Sequence, residues 1–186
     1  MRSNNCMFNH VRKRLSDLGL NGFHKKLLTL LKFLVVFNLL AIPLHLIIFF
    51  NVNLYPLAYL ERSQVSFFLT VFGVRHGLLD VSYETGLLPA IDLEKKVLVI
   101  GEACTAIRSM LAFAALVIAS PKSWSHKRKA WVFIPVIYGA NIFRMVSLAF
   151  VSLSFPSLFD LFHILLWREG LILLILGSWI YWFKRG

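Results

Sequence analysis

Four apolar stretches dominate this chain, at 28–50, 103–120, 130–153 and 161–183. An α-helix needs roughly 17–25 residues to cross the hydrocarbon core of a bilayer, and each stretch is about that long. Of the 186 residues, 58% are hydrophobic, which exceeds the roughly 45–50% usual for soluble domains. We therefore predict an all-α polytopic membrane protein with about four transmembrane helices.

The basic residues cluster between the apolar stretches and predict an orientation. Lys and Arg concentrate in the arm 1–27, the loop 122–129 and the tail 184–185, whereas most acidic residues fall within 61–102. Because short cytoplasmic loops are rich in Lys and Arg, we expect a multi-pass plasma membrane protein with both termini in the cytoplasm. The net charge of +11 forms no basic face of the kind that binds nucleic acid, so no nucleic-acid partner is expected.

The basic arm has two further implications. It is too long and too basic for an ordinary signal peptide, and no small-residue cleavage site follows it, so we expect the first apolar stretch to stay in the protein. The arm and the basic loop also suit contact with anionic lipid headgroups, although topology alone accounts for their charge. We predict one membrane-embedded domain, 28–186, after the arm 1–27.

The segment 51–102 is expected to lie outside the cell as a cap. Within it, 56–73 is apolar but carries a polar block at 61–64, which favours an amphipathic helix in the outer interface, or a re-entrant piece, over a fifth crossing. The remainder holds short β-prone pieces at 81–83 and 97–100. Glycines and a proline separate these pieces, so a small β-hairpin-like cap is predicted.

Cys104 is the strongest candidate nucleophile. It lies where an extended run gives way to an apolar helix, so we expect its thiol in the first helical turn. Free N–H groups and the positive end of the helix dipole favour a thiolate there, and Arg108 at i+4 adds a cation on the same face. The other cysteine, Cys6, lies on the basic arm. Since the topology puts the two cysteines on opposite sides, no intramolecular disulfide is expected.

Arg144 and His163 are the other reactive residues predicted at the outer face. An arginine within an apolar helix is costly, so Arg144 requires a partner, a wet cavity or a function. Asn141 lies three residues earlier on the same helical face and would orient the guanidinium or a substrate. His163 begins the last apolar stretch, where it would exchange protons near neutral pH. His76, in the cap, is the rival histidine.

The motifs around these residues resemble the exosortase/archaeosortase family of membrane-embedded cysteine transpeptidases. The likeness is carried by 102–109 (EACTAIRS), by 141–144 (NIFR) and by His163 in the final helix. It implies that Cys104, Arg144 and His163 form the catalytic set.

The resemblance also implies a reaction and its partners. Family members cleave a C-terminal sorting signal of an exported protein, which consists of a motif, a transmembrane helix and a basic cluster. The new C-terminus then passes to an acceptor, for example a lipid or a glycan. Cys104 would form a thioester, Arg144 would stabilise the oxyanion or hold the substrate, and His163 would act as general acid and base. Arg108 and Asn141 would support them, and the division of roles between Arg108 and Arg144 stays open.

Two other classes of function remain open at this stage. A non-enzymatic assembly or transporter subunit would use Arg144 as a structural partner of Glu169 across two helices. A metal or haem site is weaker, because Cys104 and His163 supply at most two ligands and no close ligand spacing such as Cys-x-x-Cys occurs. No nucleotide or cofactor fingerprint is present, so no cofactor is expected.

Overall fold

The computed structural model describes residues 20–50, 54–83, 86–94, 96–101, 104–164 and 169–185. Several residues named above fall outside this part of the chain: most of the basic arm, with Cys6, and Glu102 of the motif.

The described residues are mostly helical. We number the helices α1 (Leu20–Phe49), α2 (Tyr55–Val71), α3 (Ile107–Ala119), α4 (Trp124–Ala130), α5 (Phe133–Ser154), α6 (Phe159–Leu161) and α7 (Glu169–Lys184). A short 3₁₀ turn, Pro156–Leu158, precedes α6.

Two helical segments in the described part of the chain are long and apolar enough to cross a membrane. One is Gly22–Pro43 in α1, and the other is Trp124–Ser154, in which α4 and α5 follow each other almost without interruption. They correspond to the predicted stretches 28–50 and 130–153. The helix within 103–120 is shorter, at 13 residues, and 161–183 includes residues outside the description. A count of four crossings therefore stays a prediction.

The predicted hairpin-like cap is a three-stranded antiparallel sheet. Its strands are β1 (Gly77–Tyr83), β2 (Gly86–Asp92) and β3 (Val97–Val99), in the order β1-β2-β3. The strand β2 was not predicted from the sequence, because Pro89 indicated a break between strands. Pro89 is tolerated because its carbonyl accepts from the Ile100 N–H, 2.9 Å away, just past the end of β3. In an antiparallel sheet, the N–H and the carbonyl of one residue point to the same side. The N–H that proline lacks would therefore point toward β3, beyond the paired residues of the β2–β3 ladder.

The sheet is tied to α2 by a charged side chain. Arg62 is 6% exposed, and its Nη1 donates to Asp80 Oδ1 at 2.7 Å and to the Leu79 carbonyl at 3.0 Å. Glu61 is also buried, at 3% exposed. The polar block of α2 thus turns two of its charges inward, whereas an amphipathic helix at an interface would turn them to water.

Two apolar cores lie along the helices, and α5 contributes to both. The core next to the sheet joins α2, β2 and α5, and its buried side chains are Ala58, Val65, Leu69, Ile91, Leu93, Ile100, Ile142, Met145, Val146 and Ala149. The other joins α3, α5 and α7, with buried Phe113, Leu116, Val117, Ala130, Ile137, Ile175 and Trp182. Because α5 carries both Ile137 and Ile142, it fixes the sheet relative to the rest of the bundle.

Candidate active site

Cys104, Arg144 and His163 line one cavity of about 240 Å³ beside the sheet. They come from three separate parts of the chain: the loop before α3, the middle of α5 and the turn after α6. The remaining lining residues are Val97, Leu98, Val99, Met145, Leu148 and Phe159. The cavity is therefore mostly apolar, with a thiol, a guanidinium and an imidazole as its reactive groups.

The sequence predicted Cys104 in the first turn of α3. In the structure, Cys104 lies before that helix. The helix α3 begins at Ile107, and its first hydrogen bond runs from the Met110 N–H to the Ala106 carbonyl. The Cys104 N–H instead donates to the Gly101 carbonyl at 2.9 Å. The half-buried thiol lies 4.0 Å from the Val99 carbonyl oxygen. The candidate nucleophile thus lies between β3 and α3.

The side chain of Glu61, on α2, contacts the N-terminal end of α3. The sequence did not predict this contact. Its Oε1 accepts from the Ala106 N–H at 2.8 Å, and its Oε2 accepts from Asn141 Nδ2 at 3.2 Å. Burial raises the pKa of Glu61 to about 6, although the Ala106 N–H, the Arg144 guanidinium and the Asn141 amide act in the opposite direction. The carboxylate therefore links α2 to the loop that carries Cys104 and to α5.

Asn141 connects the same three elements from the side of α5. It is completely buried, and its Nδ2 donates to the Cys104 carbonyl at 2.9 Å as well as to Glu61. The predicted supporting role relied on its sharing a face with Arg144, and both side chains do lie on the buried face of α5. Its contact with the backbone of Cys104 was not anticipated.

Arg144 reaches the cavity from the interior of α5. The side chain is 7% exposed, and it lines the cavity. Among the described residues, its Nε has no hydrogen-bond partner. A buried guanidinium N–H without a protein acceptor is costly, so Arg144 keeps a hydrogen-bonding capacity that the described protein groups do not use.

His163 lines the cavity from the turn after α6. Its ring stacks on Phe159, with the centroids 5.8 Å apart and the planes 11° apart. The Nζ of Lys96 lies 4.8 Å from the centre of the same Phe159 ring. The stacking fixes the imidazole against the cavity wall.

The other two candidates lie elsewhere. Arg108 is half-buried on α3 and is not among the residues that line the cavity. His76 contacts Ser66 Oγ at 2.7 Å and the Val74 carbonyl at 2.9 Å, so it holds the end of α2 to the start of the sheet. In the described part of the chain, no group of three His, Cys, Asp or Glu side chains is arranged to hold a metal ion.

The sequence did contain a signal for Glu61. Positions 58, 61, 65 and 69 recur at intervals of three and four, and the neighbours of Glu61 on that face, Ala58, Val65 and Leu69, are apolar and buried. A carboxylate on the apolar face of a helix is expected to point inward. The block 61–64 was instead read as one polar surface.

A second concave surface lies on another face of α5. It is an apolar groove of about 440 Å³ between α2 and α5. We call it the α2–α5 groove, and it is lined by Gln64, Phe68, Phe72, Tyr138, Gly139, Ile142, Phe143, Val146, Ser147 and Phe150. At its polar edge, the Tyr138 hydroxyl donates to Gln64 Oε1 at 2.6 Å.

Comparison with known families gives a match over most of the chain. Residues 18–183 match the family model described as "Transmembrane exosortase (Exosortase_EpsH)". Comparisons with curated proteins and with solved structures found no match. The family match and the long apolar helices indicate a membrane protein. The resemblance read from the motifs is thereby confirmed, and the chain belongs to the transmembrane exosortase family.

Proposed function

We propose that this protein is a membrane cysteine transpeptidase or peptidase that cleaves C-terminal sorting signals of exported proteins. Membership of a family of membrane sorting-related transpeptidases supports the general activity. The observation that carries the proposal is that Cys104, Arg144 and His163, which are far apart in sequence, line one cavity. A thiol, a fixed cation and an imidazole are the groups that acyl transfer through a thioester requires.

The first half of the reaction forms the thioester. His163 takes the proton of the Cys104 thiol, and the resulting thiolate attacks the scissile carbonyl carbon, whose oxygen becomes an oxyanion. The guanidinium of Arg144, which lines the cavity, supplies a donor for that oxygen, and the apolar walls strengthen the interaction. The C–N bond then breaks, His163 protonates the leaving amine, and the C-terminal helix departs.

The second half releases the substrate. The acceptor, which is an amine or hydroxyl of a lipid or glycan, or else water, loses its proton to His163 and attacks the thioester carbon. The C–S bond breaks and the thiol is restored for another cycle. No redox step or cofactor is needed for this sequence.

Glu61 and Asn141 act as positioning residues in this proposal. Between them they bind the Cys104 carbonyl and the Ala106 N–H, so they fix the backbone that follows the Cys104 side chain. Catalysis depends on holding the attacking atom close to its target, and a loop between a strand and a helix needs such support.

The α2–α5 groove suits the transmembrane helix of the substrate. It is apolar, it lies along α5, and Gly139 at its surface has open space beside its Cα. A helix lying there would bring the residues that precede it toward the sheet end of α5. With the positive-inside orientation, the cavity faces the outside and the substrate's basic cluster stays in the cytoplasm.

The alternative to a catalytic Arg144 is an arginine that only pairs with a carboxylate on another helix. The Glu61 carboxylate interacts with the Arg144 guanidinium, which adds a second candidate partner to the predicted Glu169. If Arg144 were only structural, an exchange of the two charges in Glu61→Arg/Arg144→Glu should restore function, and Cys104→Ser should be tolerated.

The test is co-expression with an exported protein that ends in a motif, an apolar helix and a basic cluster. Loss of the C-terminal helix would be followed by intact mass for the wild type and for Cys104→Ala, Arg144→Ala and His163→Ala. We expect the wild type to trim the substrate and the three variants to lose trimming, with the product mass identifying the acceptor. Trimming by Cys104→Ala at the wild-type level would refute the proposal.

A further inference from the structure

A groove between α1 and α7, remote from the cavity, combines cations with an aromatic wall. It measures about 420 Å³. We call it the α1–α7 groove, and it is lined by Lys25, Lys26, Thr29, Leu30, Phe33, Pro121, Trp179 and Phe183. None of these residues takes part in the proposed reaction.

The positive charge gathers at one end of this groove. Lys25 and Lys26 are exposed in the first turns of α1. Lys122 adds a third cation, because its Nζ lies 4.6 Å from the centre of the Phe183 ring. Among the residues that the structure describes, no carboxylate forms an ion pair with Lys25, Lys26 or Lys122, whereas Arg62 does pair with Asp80.

An apolar, preformed wall runs from Phe183, next to Lys122 at the cationic end, toward Phe33. Phe33 packs on Trp179 with ring centroids 5.9 Å apart, and Trp179 packs on Phe183 at 5.4 Å. The indole N–H of Trp179 donates to Ser120 Oγ at 2.9 Å, which fixes the ring. Lys25 and Phe33 are separated by about 12 Å along the helix axis.

The cationic end and the apolar wall match an amphiphile with a negative headgroup. A soluble phosphate compound would use the lysines and leave the aromatic wall exposed, and a neutral lipid would leave the lysines unpaired. The groove also begins where the membrane-crossing segment Gly22–Pro43 begins, which is the depth of lipid headgroups. Basic pockets between transmembrane helices are known to take anionic lipids.

We propose that the α1–α7 groove binds an anionic phospholipid, with its phosphate at Lys25, Lys26 and Lys122 and one acyl chain along the aromatic wall. This proposal does not depend on the proposed reaction.

The test uses the purified full-length protein in a neutral detergent. Dioleoylphosphatidylglycerol and dioleoylphosphatidylcholine would be titrated separately, and bound lipid would be measured by native mass spectrometry. Each lysine near a headgroup contributes about fivefold in affinity. Lys25→Gln/Lys26→Gln should therefore weaken phosphatidylglycerol binding by about 25-fold and leave phosphatidylcholine binding unchanged.

Arg128→Gln/Lys129→Gln is the matched control, because it removes two exposed cations from α4. Leu30→Gln, on the apolar wall, should also weaken phosphatidylglycerol binding. The proposal is overturned if the α4 control weakens binding as much as the lysine pair does, or if the wild type does not prefer phosphatidylglycerol. It is likewise overturned if soluble glycerophosphoglycerol displaces the lipid at equal concentration, which would indicate a site for phosphate alone.

Discussion

At the scale of single residues, Cys104 is held mainly through its backbone and not through its thiol. The thiol makes a weak hydrogen bond to the Val99 carbonyl. The adjacent main chain is fixed by hydrogen bonds to Glu61 and Asn141. The sequence indicates Cys104 as a candidate nucleophile because it lies where an extended run gives way to an apolar helix. The sequence indicates Glu61 less clearly, because a carboxylate in a polar block looks like surface.

Glu61 should make stability depend on pH. Its pKa in the folded protein is about 6, above the ordinary 4.5, so the folded state binds the proton more tightly. This group therefore favours folding most below pH 4.5 and loses that effect as the pH rises through 6. Relative to Glu61→Gln, the unfolding free energy of the wild type should fall by about 1–2 kcal/mol between pH 4.5 and pH 7.

Thermal unfolding in detergent across that pH range would measure the effect. Glu94→Gln, at an exposed turn, is the control for removal of one acidic side chain. If the gap between the wild type and Glu61→Gln stayed constant with pH, the buried carboxylate would not titrate in this range.

At the scale of elements, α2 and α5 carry most of the architecture of the site. The helix α2 presents Glu61 to the Cys104 loop and Arg62 to the sheet, so neighbouring residues hold two different elements. The helix α5 carries Asn141 and Arg144 on its buried face. The sequence predicted both helices but not their mutual packing, because periodicity reveals which face is apolar and not which partner covers it.

Removing Arg62 should loosen the sheet. Arg62→Met keeps the aliphatic part of the side chain but deletes the hydrogen bonds to Asp80 and Leu79, which costs about 1–3 kcal/mol. Amide hydrogen exchange in β1 and β2 should accelerate, while exchange in α7 should not change. The control is Arg75→Met at an exposed position; equal acceleration in the control would show that Arg62 does not anchor the sheet.

Filling the α2–α5 groove should impair substrate binding. Gly139→Leu adds bulk where no atom lies within 4 Å of the new Cβ, so the protein should still fold. If a substrate helix occupies the groove, the substrate concentration for half-maximal trimming should rise by about tenfold, the effect of losing roughly 1.4 kcal/mol of binding. Gly177→Leu on α7, equally open, is the control, and an unchanged substrate dependence in Gly139→Leu would exclude the groove.

At the scale of the whole molecule, the fold separates the cavity from the basic cluster of α4. The segment Trp124–Ser154 begins with the basic cluster of α4 and ends next to the turn that leads to His163. The topology argument predicted that Cys104, Arg144 and His163 would share one face, and they line one cavity. It could not predict β2, since Pro89 is unusual in a strand, nor Glu61, whose role depends on packing between distant segments.

The predicted orientation can be tested with single cysteines. In a background of Cys6→Ser/Cys104→Ala, we expect Ser82→Cys in β1 to react with an impermeant maleimide in intact cells. Ser125→Cys in α4 should react only after permeabilisation, because the basic loop is predicted to be cytoplasmic. The reverse labelling pattern would invert the topology.

The central claim is that Cys104 carries the substrate as a thioester. The most direct measurement is to supply hydroxylamine, which attacks thioesters, to membranes containing the enzyme and its substrate, and to determine the mass of the released product. The account predicts a product with a C-terminal hydroxamate from the wild type and none from Cys104→Ala. Release of a trimmed product by Cys104→Ala would contradict it.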